Sequence, residues 1–231
     1  MNERENRKSG FIREIIGCFI SPRSSFKSIL EKPSLKKATA LILVIAIVAA
    51  LASFNYMSKL PQTYSPEEGQ GGLFPGQGSP INPEQLRQAL TVMSAVTTLI
   101  GVFGTWLISS ALLHGFSRTL RGKGSFRSML TLAGYASAPL LIQQILRLAD
   151  SFMISQEALQ LATDLQISAS LLLNSIANAA METFTIFGLW SVALIIIAVR
   201  ENYKMSSTKS TAATVLSSIV LVFISSFLPF M

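Results

Sequence analysis

The chain has 231 residues, half of them hydrophobic, with only 13% charged and a formal charge of +7. A soluble domain carries about 25% charged residues; here the deficit lies in long uncharged runs, which excludes a large soluble core and points to a bilayer protein. One cysteine, Cys18, and one histidine, His114, exclude an internal disulfide and a Cys-x-x-Cys redox or zinc centre, and make a poor transition-metal pair.

Met1 to Lys37 is a basic tail. Phe11, Ile12, Ile15, Ile16 and Phe19 fall at helical spacing on one face, with Arg13, Glu14 and Gly17 elsewhere. This predicts a short amphipathic helix lying in the membrane interface. Ser21-Pro22 reads as a cap and first helical position. The helix it opens sets Phe26, Ile29 and Leu30 against Arg23, Lys27 and Lys32, and Pro33 ends it. Lys36 and Lys37 precede the first apolar run, and such basic residues attract anionic lipid by about 1 kcal/mol each. That run has no convincing cleavage site and is expected to remain as a signal anchor.

The first span is expected at about 38–57. Residues 58–84 form an outer loop, because Lys59 to Pro83 holds five of the nine prolines and five of the fourteen glycines. Asn82-Pro83-Glu84-Gln85 starts the next helix as a cap followed by a first-turn proline. The second span, about 89–113, is thinned by Gly101, Gly104 and Thr105, which lets another helix approach closely. His114, Arg118, Arg121, Lys123 and Arg127 follow, and Ser125 caps the third span, about 129–148. In that span Pro139 removes the donor to the carbonyl of Tyr135, predicting a kink. Gly134, Ala136 and Ala138 leave room for a neighbour, expected to be Gly101 and Gly104 of span two. Ser155 to Asn178 mixes Glu157 and Asp164 with leucines; a surface amphipathic helix and a re-entrant segment both fit. The fourth span is expected at about 179–199 and the fifth at about 211–231.

With five crossings, sixteen of the 19 Lys and Arg residues fall on one side and only Lys59, Arg87 and Arg147 on the other. The positive-inside rule then makes the N-terminus cytoplasmic and the C-terminus external. The charge is an orientation signal, and no basic patch interleaved with aromatics marks a nucleic-acid surface.

Chemical motifs are few. Gly122-Lys123-Gly124-Ser125 lacks the spacing of a phosphate loop, which needs four residues between its first glycine and Gly-Lys-Ser/Thr; it reads as a tight basic turn. Ser137 and His114 lie in no nucleophile-elbow context, and no zinc helix or acidic pair occurs. The sequence therefore gives no reason to expect an enzyme or a bound cofactor. Asn174, Asn178 and Glu182 share one face entering span four, and Gln143, Gln144 and Arg147 lie at the outer end of span three. Charges in a bilayer face protein or water, so Arg147 and Glu182 are expected to pair. They would fix the packing of spans three and four or, in a functional version, bind a proton or ligand.

The order of landmarks resembles the Yip membrane protein family, the Rab/Ypt-interacting proteins and their prokaryotic relatives. Ile20-Ser21-Pro22-Arg23 with Phe26 precedes Glu31-Lys32-Pro33-Ser34-Leu35. Gly122-Lys123-Gly124-Ser125-Phe126-Arg127 sits between spans two and three. Gly134-Tyr135-Ala136-Ser137-Ala138-Pro139 matches the family's Gly-Tyr-x-x-x-Pro, and Leu189-Trp190 lies in span four. The likeness covers roughly residues 15 to 225. It implies an all-helical bundle, helix-mediated self-association or partner binding, and no known enzyme activity. The chain lacks the long N-terminal region and the Asp-Leu-x-Gly-Pro-type motif of the eukaryotic branch, whose members look like binders of prenylated small GTPases. It looks more like the short prokaryotic members.

The expectation is an all-α, five-span protein of a prokaryotic cell membrane, with a tail over 1–37 and a membrane domain over 38–231. Its expected role is a non-enzymatic scaffold or adaptor. The working face would be cytoplasmic, carrying Pro22, Phe26, Pro33, Gly122, Lys123, Gly124 and Phe126 toward anionic lipid, a protein partner or a second copy. A small transporter, channel or permease subunit using the polar groups of spans three and four is the alternative.

Overall fold

The computed structural model describes residues 10–59, 83–156 and 185–225. Among them are eight helices and no strand: α1 (Phe11–Ile20), α2 (Pro22–Glu31), α3 (Leu35–Lys59), α4 (Pro83–Thr119), α5 (Phe126–Ala136), α6 (Ala138–Met153), α7 (Ile186–Tyr203) and α8 (Ser207–Ser225). Among the described residues five stretches are long and apolar enough to cross a membrane: Leu35–Lys59, Glu84–Thr119, Phe126–Met153, Ile186–Tyr203 and Ser207–Ile224. The chain is an integral, multi-pass, all-helical membrane protein.

Local chemistry sets the helix ends. Pro22 is the first residue of α2, as its fixed φ favours, although the side chain of Ser21 makes no capping bond. Ser125 caps α5 by accepting from the amide of Ser128, and Thr185 caps α7 by accepting from that of Gly188. α4 runs on past Leu113 to Thr119 because nothing stops it before the turn at Arg121, where φ reaches 67°. Its 37 residues span about 55 Å, well beyond the ~30 Å apolar core of a bilayer. α7 likewise continues past Val199 to Tyr203 and is ended by Lys204 in the left-handed region, φ 54°. The connection to α8 is therefore only residues 204–206.

Met129 to Ala136 is an unbroken buried run, so α5 is the central column of the bundle. α3, α4, α7 and the α1–α2 pair surround it, and α8 packs on α4 and α7. Ala38 meets Gly134 and Asn55 meets Ser151, the same residue offset at both places, so α3 and the third span run parallel and in register. α7 runs antiparallel to them: Asn202 reaches Ser125 at one end and Thr185 reaches Gln143 toward the other. One end of the bundle collects α1, α2, the turn after α4 and the turn after α7, with most of the described basic residues. The other end holds Lys59, Arg87 and Arg147.

Candidate functional site

The basic end is organised by the two N-terminal helices. α1 turns Phe11, Ile15, Cys18 and Phe19 to the bundle core and leaves Ile12, Ile16 and Ile20 exposed. The apolar face expected to lie wholly in the interface is thus split between protein and surroundings. Gly17 permits α1 and α2 to meet: a Cβ there would sit 2.5 Å from Ser25 Oγ. Phe26 of α2 is fully buried. Its placement on an exposed docking face is corrected: an apolar ring beside the core is removed from water, worth about 1.5–3 kcal/mol.

Two ionic contacts fasten this pair. Glu14 accepts from Lys37 Nζ at 2.6 Å and from the hydroxyl of Tyr135 at 2.5 Å, joining α1 to the start of α3 and to the end of α5. Arg23 Nε donates to Glu201 Oε1 at 2.8 Å, joining α2 to the buried end of α7. Phe11 packs edge-on against Tyr135 and Phe19 edge-on against Trp190. The tyrosine of Gly-Tyr-x-x-x-Pro therefore receives the N-terminal helix. Neither Glu14 nor Glu201 was picked out by sequence, because partners 121 and 178 residues away leave no local signal. Cys18 lies in the same seam, and burial, with Glu14 adding, pushes its thiol up to about 12. Such a thiol is a packing group, since the thiolate is the reactive form.

The Gly122–Ser125 turn is closed by protein. Gly122 N donates to Ser117 O at 2.8 Å and Lys123 N to Tyr203 O at 3.2 Å, while Asn202 Nδ2 donates to Ser125 O at 3.1 Å. A Cβ on Gly122 would lie 2.8 Å from Ser117 O and Tyr203 Cβ, and one on Gly124 2.7 Å from Asn202 O. These amides are committed to carbonyls, and a phosphate cradle needs them free. The glycines thus serve the close approach of the turn to the end of α7. Lys123 and Phe126 remain exposed, and Pro22 and Pro33 are half-buried at the helix starts and ends. His114 Nδ1 and Tyr203 Oη are 2.6 Å apart, with the Phe126 ring edge-on to the imidazole. Ser137 is bonded elsewhere, so the structure does not pair it with His114.

In the third span the helix is interrupted at Ser137. Its amide is shared between Ala133 O at 3.1 Å and Gly134 O at 3.3 Å, and its hydroxyl also donates to Ala133 O at 2.9 Å. Leu140 N then bonds Ser137 O, a tightened turn that steps past the missing donor of Pro139. The close neighbour of Gly134 is Ala38, whose Cβ would be 2.8 Å from an added methyl. The expected partners Gly101 and Gly104 are corrected to Ala38 of α3. α4 meets α5 through Trp106, whose indole N–H donates to Leu130 O at 3.1 Å.

At the opposite end Lys59 and Arg87 satisfy helix termini. Lys59 Nζ donates to the carbonyls of Ser151, Phe152 and Ile154, and Arg87 donates to Ser58 O while paired with Glu84. Tyr56 Oη reaches Asp150 at 2.6 Å and the carbonyl of Arg147 at 3.3 Å. Gln143 accepts from Thr185 at 3.0 Å, tying α6 to the start of α7. Asn174, Asn178 and Glu182, the stretch 155–178 beyond Gln156, and most of the outer loop lie outside the described residues. Among the described residues no group of three His, Cys, Asp or Glu side chains could hold a metal.

Comparison with known proteins fits this architecture. The family model described as the Yip1 domain matches residues 16–228. An uncharacterised protein of Methanocaldococcus jannaschii is 22% identical over 154 residues, covering 65% of this chain and 99% of that protein. No solved structure matches the chain.

Proposed function

This chain belongs to the Yip1 domain family, and from that premise we propose that it is a non-enzymatic membrane scaffold or adaptor working through helix packing and its basic end. One observation carries the reading. The motif residues that look most like chemistry are spent on packing: Tyr135 holds Glu14, Gly134 admits Ala38, and Gly122 and Gly124 admit the end of α7. What these contacts leave outward at that end is Lys123, Phe126 and the exposed basic residues Arg118, Arg121 and Arg127. A rigid, basic surface with an exposed aromatic suits the recognition of an acidic protein segment or an anionic headgroup. By the charge rule this end faces the cytoplasm of a prokaryotic cell.

Photo-crosslinking side chains at positions 123 and 126 test the proposal in intact membranes. The scaffold reading expects one protein to be captured reproducibly at both positions and lost when Arg121 and Arg127 are changed to Glu. Capture of lipid alone at both positions contradicts it.

A further inference from the structure

We propose that α1 and α2 form a strap that sets the angle of the third span at Ser137, coupling the basic end of the bundle to the position of α6 at the opposite end. Three features converge on it.

The break divides the span into a half buried from Met129 onward and a half that is largely exposed beyond its contacts with α3 and α7. Every residue from Met129 to Ala136 is buried, whereas beyond Pro139 the described part of α6 buries only Ser151. Pro139 has no amide to bond back, and the turn at Ser137 is held by shared and three-residue bonds. A helix lacking its regular ladder at one point bends there at least cost.

The strap grips the bundle at the height of that break. Phe11 and Glu14 sit on Tyr135, two residues before Ser137. Phe19 sits on Trp190 of α7, and Lys37 of α3 is drawn in through Glu14. One short helix therefore crosses three spans, α3, α5 and α7, and fixes their spacing where α6 departs.

α6 ends in contacts that would register a swing. Asn55 donates to Ser151, Tyr56 to Asp150 and Lys59 to three carbonyls of its last turn. α6 is 16 residues long, about 24 Å, so a bend of about 10° moves its far end by about 4 Å. Packed interfaces respond to such a shift by exchanging one set of contacts for another rather than stretching. The strap is the element whose docking biases that choice.

Pulsed electron–electron distance measurement across the break tests this in lipid nanodiscs. Spin labels replace Arg127 and Leu146, both exposed, in a Cys18→Ser background. Strap release is scored separately by alkylation of Cys18 in unlabelled protein carrying the same substitutions. The double change Glu14→Gln with Arg23→Gln is expected to expose Cys18 and to shift or broaden the distance distribution. Where Cys18 stays protected, Phe26→Ser, which puts a hydroxyl in the buried seam, replaces it. Exposure of Cys18 with an unchanged distribution overturns the proposal. The Pro139→Ala chain, with the amide donor restored, is expected to lose the response; an equal response there overturns the placement of the bend.

Discussion

The hydroxyl of Tyr135, at the end of α5 just before the break in the third span, donates to the carboxylate of Glu14, in the tail that precedes the first span. Through the same carboxylate Lys37 is bound, so three separate stretches of chain close on one oxygen pair. Tyr135→Phe keeps the ring against Phe11 and removes only the donor. It is expected to cost about 1.5–3 kcal/mol, the range for a hydrogen bond to a charged group. Thermal unfolding in detergent, with Cys18 alkylation alongside, measures it.

The second fastening is unequal in its two halves. The Arg23 side chain is 59% exposed and that of Glu201 only 6%. Removing the arginine leaves a carboxylate without its cation in a dry seam, whereas removing the carboxylate returns an arginine to solvent. Arg23→Ala is therefore expected to destabilise more than Glu201→Gln, and the double variant to be milder than the sum of the two. A double-mutant cycle on the unfolding midpoint reads the difference.

Cys18 supplies the pH dependence. Its thiol is pushed from an ordinary value of 9.0 up to about 12 by burial first and Glu14 second. A raised pKa in the folded state means the neutral thiol is favoured by folding. The stability tied to it is complete below pH 9 and falls away as pH rises toward 12. Alkylation of native protein at pH 8 is expected to be slow, and fast once the chain is unfolded. Cys18→Ser is expected to flatten the alkaline loss of stability.

Gly122, Gly124 and Gly134 each lie where a methyl would enter a neighbour at 2.7–2.8 Å. At Gly122 and Gly124 the obstacles include backbone carbonyl oxygens, which cannot rotate away. Alanine at either position is expected to cost about 1–3 kcal/mol as overpacking. Gly134→Ala meets the methyl of Ala38, so Ala38→Gly in the same chain is expected to recover much of the loss. The compensating pair, compared by thermal unfolding, identifies Ala38 as the partner.

Arg147 and Glu182 are proposed to pair and to fix the packing of spans three and four. Exchanging the two charges together is expected to retain more stability than either single reversal. Equal loss in the double and single reversals contradicts the pairing.

The number of spans, the gathering of basic residues at one end, the start of α2 and the cap of α5 were legible because they depend on neighbours in sequence. Pro22 opens α2 and Ser125 caps α5 for reasons contained in four or five residues. The break near Pro139 was legible too, since a missing amide is a local fact. What stayed hidden depends on packing. Glu14 reads as a polar-face residue until Tyr135 is beside it. Phe26 reads as surface on a short amphipathic helix until the bundle covers it. Two glycines in α4 suggested the close approach at Gly134, where the nearest atoms belong to Ala38 of α3 instead.

We propose that the five-span bundle presents its basic end, the working face, on the cytoplasmic side. Single cysteines at Lys123 and Gln85, at opposite ends of the bundle and both exposed, test it in a Cys18→Ser chain with a membrane-impermeant maleimide on intact cells. Position 85 is expected to label from outside and position 123 only after the membrane is opened. Labelling of both from the same side, or of position 123 alone from outside, contradicts it.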